Sequence, residues 1–344
     1  MVILAILLTL VLATAVPAAA HAPEFPSGHV SLEDAMEVHD PTKSWAIYSQ
    51  LHEGGEAQYY LLEMRQGESI TVSLTVPRSS TDQGFLPSVA LMGPGIEDDG
   101  PLPAFVEVPD GDGVQVVASQ LPAGLSYEPF SPSVFYELAE ISVSAPRDGD
   151  YYLAVFDENT GGSYCLAVGL RESFTAEEWL LIPFSAISIY RWEGQSLPTV
   201  LAPPIIAFVA GSAIMVAASR RRPQPVDALW VLAAVAGLLM VASGISLLYQ
   251  MLWSLARTGV EPTMVVTILF AALPLALGLA ALRIAHRGRA VTGIRPSTRL
   301  ALAIIGGLGL LLWAGWIVGP ALAFVAAILP GRWSLRRLGG PPVR

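Results

Sequence analysis

The 344-residue chain is 53% hydrophobic and only 14% charged, with a formal net charge of −10. So apolar a composition excludes a single soluble domain, and the charge is split rather than spread. Residues 23–196 carry 27 Asp/Glu against 6 Lys/Arg, whereas residues 197–344 carry 2 acids against 13 arginines. The acidic half argues against a nucleic-acid partner, because phosphate contacts need clustered Lys and Arg.

The first 20 residues are an apolar run broken by Pro17 and followed by three alanines. This pattern predicts a secretory signal peptide at 1–20, with an uncleaved anchor as the alternative. A cut after Ala20 makes His21 the first residue of the mature chain. Cys165 is the single cysteine, so no disulfide forms within the chain, and stability must come from a hydrophobic core. Roughly 175 residues are enough to build one.

Residues 21–172 read as an acidic β-domain. Trp45 to Leu51 alternates large apolar with small or polar side chains, and Gly54 and Gly55 supply a turn. Further strands are expected from Gln58 to Met64, Ser69 to Val76, Phe85 to Met92, Val114 to Ala118, Glu137 to Ser144, Tyr151 to Phe156 and Tyr164 to Leu170. Pro, Gly and acidic residues crowd 93–133. About eight short strands with frequent turn signals and little helical periodicity predict an all-β sandwich.

Residues Leu32 to Ala35, Ala57 to Met64 and Gly67 to Leu74 resemble the opening of the bacterial and archaeal pre-peptidase C-terminal domain. Asp148 to Val155 and Gly161 to Val168 are similar to its closing strands. The resemblance covers roughly 31–170, and the Pro/Gly-rich stretch at 93–133 departs from it. It implies a jelly-roll-like binding or accessory module with no catalytic residues to carry over.

Residues 173–196 are more helical. Thr175 and Glu178 have the spacing of a capping box, and Trp179, Tyr190 and Trp192 suit a lipid headgroup region. Two readings stand here: a last packed element of the sandwich, or an amphipathic juxtamembrane helix lying on the outer leaflet.

Four apolar segments follow, at 197–219, 228–256, 262–282 and 300–329, each long enough to cross ~30 Å of hydrocarbon. The linkers after the first and third hold eight arginines, whereas the second holds Arg257 opposed by Glu261. By the positive-inside rule the arginine-rich linkers are cytoplasmic and the β-domain extracytoplasmic, in a multi-pass plasma-membrane protein. The last segment carries Gly319 and Pro320 near its middle. It is expected to be one long kinked span, with entry and return as the alternative, before a basic tail at 330–344. The fold class is thus a jelly-roll-like sandwich followed by an α-helical transmembrane domain of about four spans.

No Walker loop, zinc-protease, Cys-x-x-Cys or nucleophile-elbow motif occurs, so no enzyme is predicted. His21, His29 and His39 crowd the mature N-terminus and are the copper candidates, since nitrogen ligands suit Cu(II). Asp110 and Asp112 are the calcium candidates, as hard oxygen donors, with solvated turn acids as the plainer reading. The expected role is a membrane-anchored cell-surface binding, sensing or accessory protein. Its expected partners are the lipid bilayer and other envelope proteins or surface glycans. A transporter or membrane-complex subunit capped by the sandwich is the alternative, as is a copper- or calcium-binding exported protein.

Overall fold

The computed structural model describes residues 21–221, 228–288 and 295–329. The signal peptide expected at 1–20 and the basic tail at 330–344 lie outside the described residues. The chain divides into two compact units, one built of sheets and ending at Gln195, the other built of helices and running from Ser196.

The sheet unit contains two mixed sheets. The first has six strands: β1 (Ala22–Glu24), β3 (Trp45–Leu51), β5 (Ser69–Pro77), β8 (Ser126–Glu128), β9 (Ser133–Ser144) and β11 (Gly162–Val168), in the order β1-β3-β11-β5-β9-β8. The second has five: β2 (Met36–Glu37), β4 (Glu56–Met64), β6 (Ser88–Gly93), β7 (Gly113–Val117) and β10 (Gly149–Asp157), in the order β2-β4-β10-β6-β7. Each is mixed because one short strand at its edge runs parallel, β1 beside β3 and β2 beside β4. The motifs near the start of the unit pair with those near its end: Tyr60 lies opposite Leu153, and Val72 opposite Val168.

Strand alternation explains the core. One buried cluster takes Ile47, Leu51, Leu74 and Leu166 from the six-stranded sheet and Tyr60, Leu62, Leu91 and Leu153 from the five-stranded one. Each such side chain contributes roughly 1.5–3 kcal/mol by leaving water. The intervening residues Tyr59, Ala90, Met92, Ala154 and Phe156 form a second cluster, closed by Leu102, Val106 and Val108 from the Pro/Gly-rich stretch. The middles of β4 and β10 are therefore covered on both faces, which is why Tyr59 to Leu62 and Tyr151 to Phe156 are apolar runs.

A single helical turn, α1 (Arg78–Thr81), precedes β6, and a longer helix, α2 (Ala176–Trp192), closes the unit. The capping box forms as its spacing predicts: Thr175 Oγ1 accepts from the Glu178 N–H, and Glu178 Oε2 accepts from the Thr175 N–H at 2.7 Å. Its C-terminal end is held to the strands. Trp192 Nε1 donates to the Tyr164 carbonyl at 2.9 Å, and Glu193 Oε1 accepts from the Val134 N–H. Tyr190 is buried within the unit, because these tethers turn that side of the helix onto the strands. Leu180, Leu181 and Phe184 remain exposed.

The helical unit comprises α3 (Leu197–Arg221), α4 (Ala228–Thr258), α5 (Met264–Gly288), α6 (Pro296–Leu311) and α7 (Val318–Ile328). The first three are long and apolar enough to cross a membrane. Close packing of α4 on α5 runs through glycines: a Cβ on Gly237 would lie 2.7 Å from the Gly278 carbonyl oxygen, and one on Gly278 2.6 Å from that of Gly237. Over 300–329 the structure departs from the single kinked helix expected there. Two shorter helices stand there, and Arg299 at the start of one donates to the Ala327 carbonyl near the end of the other. Left-handed backbone at Trp313, Gly315, Trp316 and Ile317 reverses the chain between them.

Candidate functional site

The sheet unit carries an open groove of about 300 Å³. Its floor comes from strand alternation. Tyr48 and Gln50 stand on the face of β3 opposite Ile47 and Leu51, and Ser163 stands beside Gln50 on β11. One wall is Phe25, just after β1, whose ring stacks on Tyr48 with centroids 5.3 Å apart and planes 17° off parallel. The other wall is the end of α2. There the Trp192 ring meets Tyr48 edge-on at 5.1 Å and 77°, and Arg191 stands exposed beside it.

Below the groove lies a buried polar network. Ser49 Oγ and the Tyr164 hydroxyl both donate to Gln58 Oε1, at 2.8 and 2.6 Å, and Gln58 Nε2 donates to the Gln50 carbonyl at 3.0 Å. Tyr164 and Tyr60 share a hydrogen bond of 2.5 Å, and His29 Nε2 lies 3.3 Å from the Tyr60 hydroxyl. Burial pushes both phenols well above their ordinary range, and pushes the Cys165 thiol up to about 12. The network ties β3, β4 and β11 together beneath the floor of the groove.

Each sequence-predicted residue has a distinct place. His21 Nδ1 lies 2.6 Å from Ser44 Oγ, His29 reaches Tyr60, and His39, well exposed, lies 3.1 Å from Glu37. The three imidazoles thus have three different partners. Asp110 and Asp112 sit in the turn leading into β7, where burial and then the neighbouring Asp150 carboxylate raise the Asp112 carboxyl. Among the described residues no group of three or more His, Cys, Asp or Glu is placed to hold a metal ion.

The Ser44–His21 contact has the residue types of a nucleophile and its base. Ser44 is only 2% exposed, however, and does not line the groove between Phe25 and Trp192. Burial lowers the His21 imidazole, and nearby Glu172 only partly offsets this. The pair anchors the start of β1: the Ala22 N–H donates to the Ser44 carbonyl at 2.8 Å.

Phe25, Tyr48, Gln50, Ser163 and Arg191 were not among the sequence candidates. Alternation along β3 marks Tyr48 and Gln50 as outward-facing, but Arg191 and Trp192 arrive only through the docking of α2. No protein-family model matches the chain, and no curated protein is significantly similar to it.

Proposed function

We propose that the chain is a non-enzymatic surface module. In this reading a β-sandwich of pre-peptidase C-terminal type, formed by the two sheets, stands outside the membrane, and the helical unit anchors it. The ligand is a surface glycan, taken up by the groove between Phe25 and Trp192.

The observation that carries this reading is the chemistry of the groove. The Tyr48 and Trp192 rings offer apolar contact to sugar C–H groups, and Gln50, Ser163 and Arg191 supply donors around them. Arg191 adds a positive charge in a strongly acidic unit, which favours glycans bearing carboxylates. The burial of Ser44, away from the groove, supports binding rather than bond-breaking. The three long apolar helices, and the arginines gathered in two of the linkers, support the anchor and its orientation.

Glycan-array binding by the detergent-purified chain tests this. Neutral or acidic oligosaccharides should be retained by the wild type, lost with Tyr48→Ala, and weakened for acidic glycans only with Arg191→Gln. Binding that survives Tyr48→Ala in a folded protein rejects the groove.

A further inference from the structure

The helical unit carries a statement about sidedness that the linker charges leave open. We propose that α6 and α7 form a re-entrant hairpin that enters and leaves the bilayer by one face, placing the chain after Leu329 on the same side as Arg220 and Arg287. This rests on the reading of α3, α4 and α5 as crossing helices.

Two layers of packing locate the ends. The first gathers Met215 near the end of α3, Leu229 and Trp230 at the start of α4, Ala285 near the end of α5, Leu302 in α6, and Ala326 and Ala327 at the end of α7. The second, deeper layer takes Met240, Leu277, Ile305, Ala314 and Ala323. The end of α7 therefore shares a layer with the arginine-bearing ends of α3 and α5.

Length agrees. α6 has 16 residues and α7 has 11, so they reach about 24 Å and 16 Å at 1.5 Å per residue, short of ~30 Å of hydrocarbon. At the tip Gly315 packs against the backbone of Leu239 and Met240, in the middle of α4. From Ala228 to Met240 is about 18 Å along that helix. The α7 and α4 lengths place the tip near mid-bilayer depth, and α6, though longer, still ends short of the far face.

Irregular backbone at that depth must be covered by protein and hydrogen-bonded. The Gly315 N–H donates to Ser243 Oγ at 2.8 Å. At the open end the Arg299 guanidinium donates to the Ala327 and Leu329 carbonyls, at 2.6 and 2.7 Å, which satisfies orphan acceptors of the α7 terminus. The left-handed conformation of Ile317, costly for a β-branched residue, is held by this enclosure.

The charge pattern follows. A fourth crossing would place Arg332, Arg336, Arg337 and Arg344 on the face opposite the linker arginines. The hairpin puts twelve of the thirteen arginines after Leu197 on one face, with only Arg257 opposite.

Variants of the full chain with one added cysteine test this, read with a membrane-impermeant maleimide before and after permeabilising cells. The wild type, whose Cys165 is buried, is the blank. Val260→Cys should label in intact cells, and His286→Cys and Arg344→Cys only after permeabilisation. Labelling of Arg344→Cys together with Val260→Cys, and apart from His286→Cys, would overturn the hairpin while leaving three crossings. Identical labelling of Val260→Cys and His286→Cys would instead overturn the crossing reading, and the hairpin with it. If His286→Cys and Arg344→Cys label first and Val260→Cys only later, the hairpin stands and the proposed orientation falls.

Discussion

Lys43 Nζ lies 2.6 Å from Glu178 Oε1, joining the segment before β3 to the first turn of α2. The lysine is 7% exposed, and its ammonium stands 3.8 Å over the Trp45 ring. Glu178 meanwhile uses its other oxygen to cap its own helix. One carboxylate thus both starts the helix and ties it down.

Replacing Glu178 with Ala should destabilise the sheet unit by about 2–4 kcal/mol, since it removes a cap and strands a buried ammonium. Glu178→Gln should cost less, because the amide oxygen can still accept. Burial raises the Glu178 carboxyl, but hydrogen bonds from Lys43 and Thr175 outweigh it and hold the group below its ordinary value. Its contribution is therefore present above the unfolded carboxylate range, about 4.3, and is lost as pH falls through the lower folded value. Melting curves of the wild type and of Glu178→Gln should converge as acid is added. Parallel curves would remove Glu178 from the account.

Histidine protonation predicts a second acid response, nearer neutrality. Burial lowers both His21 and His29, with Glu172 acting against it at His21, and the Ser27 backbone and Gln58 against it at His29. A base with a depressed folded pKa binds fewer protons when folded. Stability should therefore decline as pH falls below about 6.5, the unfolded histidine value. His29 has φ of +56°, which asparagine tolerates. His29→Asn should accordingly flatten the slope of Tm against pH between 7 and 5. An unchanged slope would assign the response elsewhere.

Glycine packing in the helical unit gives a graded series. A Cβ on Gly237 meets backbone of the facing helix at 2.7 Å, one on Gly306 meets the Phe324 ring at 3.1 Å, and one on Gly307 has nothing nearer than 4.0 Å. Overpacking costs typically 1–3 kcal/mol, whereas alanine is the better helix former in open space. Thermal aggregation in detergent should therefore rank Gly237→Ala as most damaging, Gly306→Ala as intermediate, and Gly307→Ala as neutral or slightly stabilising. Any other order contradicts the packing described.

The same contrasts explain what could be read from the residues alone. β4 and β10 were legible because apolar runs between glycine turns leave few alternatives. The strands β1, β2 and β8, of three, two and three residues, are too short to show alternation, and β1 and β2 form through pairing with distant segments. The reversal at 312–317 was legible only as the alternative to a kinked span, because Trp313, Trp316 and Ile317 are not turn formers. Between them Gly315 is held by Ser243 and Met240 on another helix. The groove was half visible for a related reason: Tyr48 and Gln50 follow from period two, but Arg191 depends on where α2 docks.

The Arg299 clasp is open to a direct stability test. Its guanidinium places two donors on two carbonyls in a fixed fork, which lysine cannot reproduce. Arg299→Lys should keep the charge on its face yet leave one carbonyl without its partner, costing about 1–3 kcal/mol. Ser243→Ala removes the acceptor of the Gly315 N–H at the opposite end of the hairpin, with a cost in the same range. The sites are separated by about the length of α6, so the double variant should lose the sum of the two effects. Measured by thermal unfolding in detergent, additivity would mark two independent fastenings of one hairpin. A double variant no worse than either single one would mean that the first loss already releases both helices.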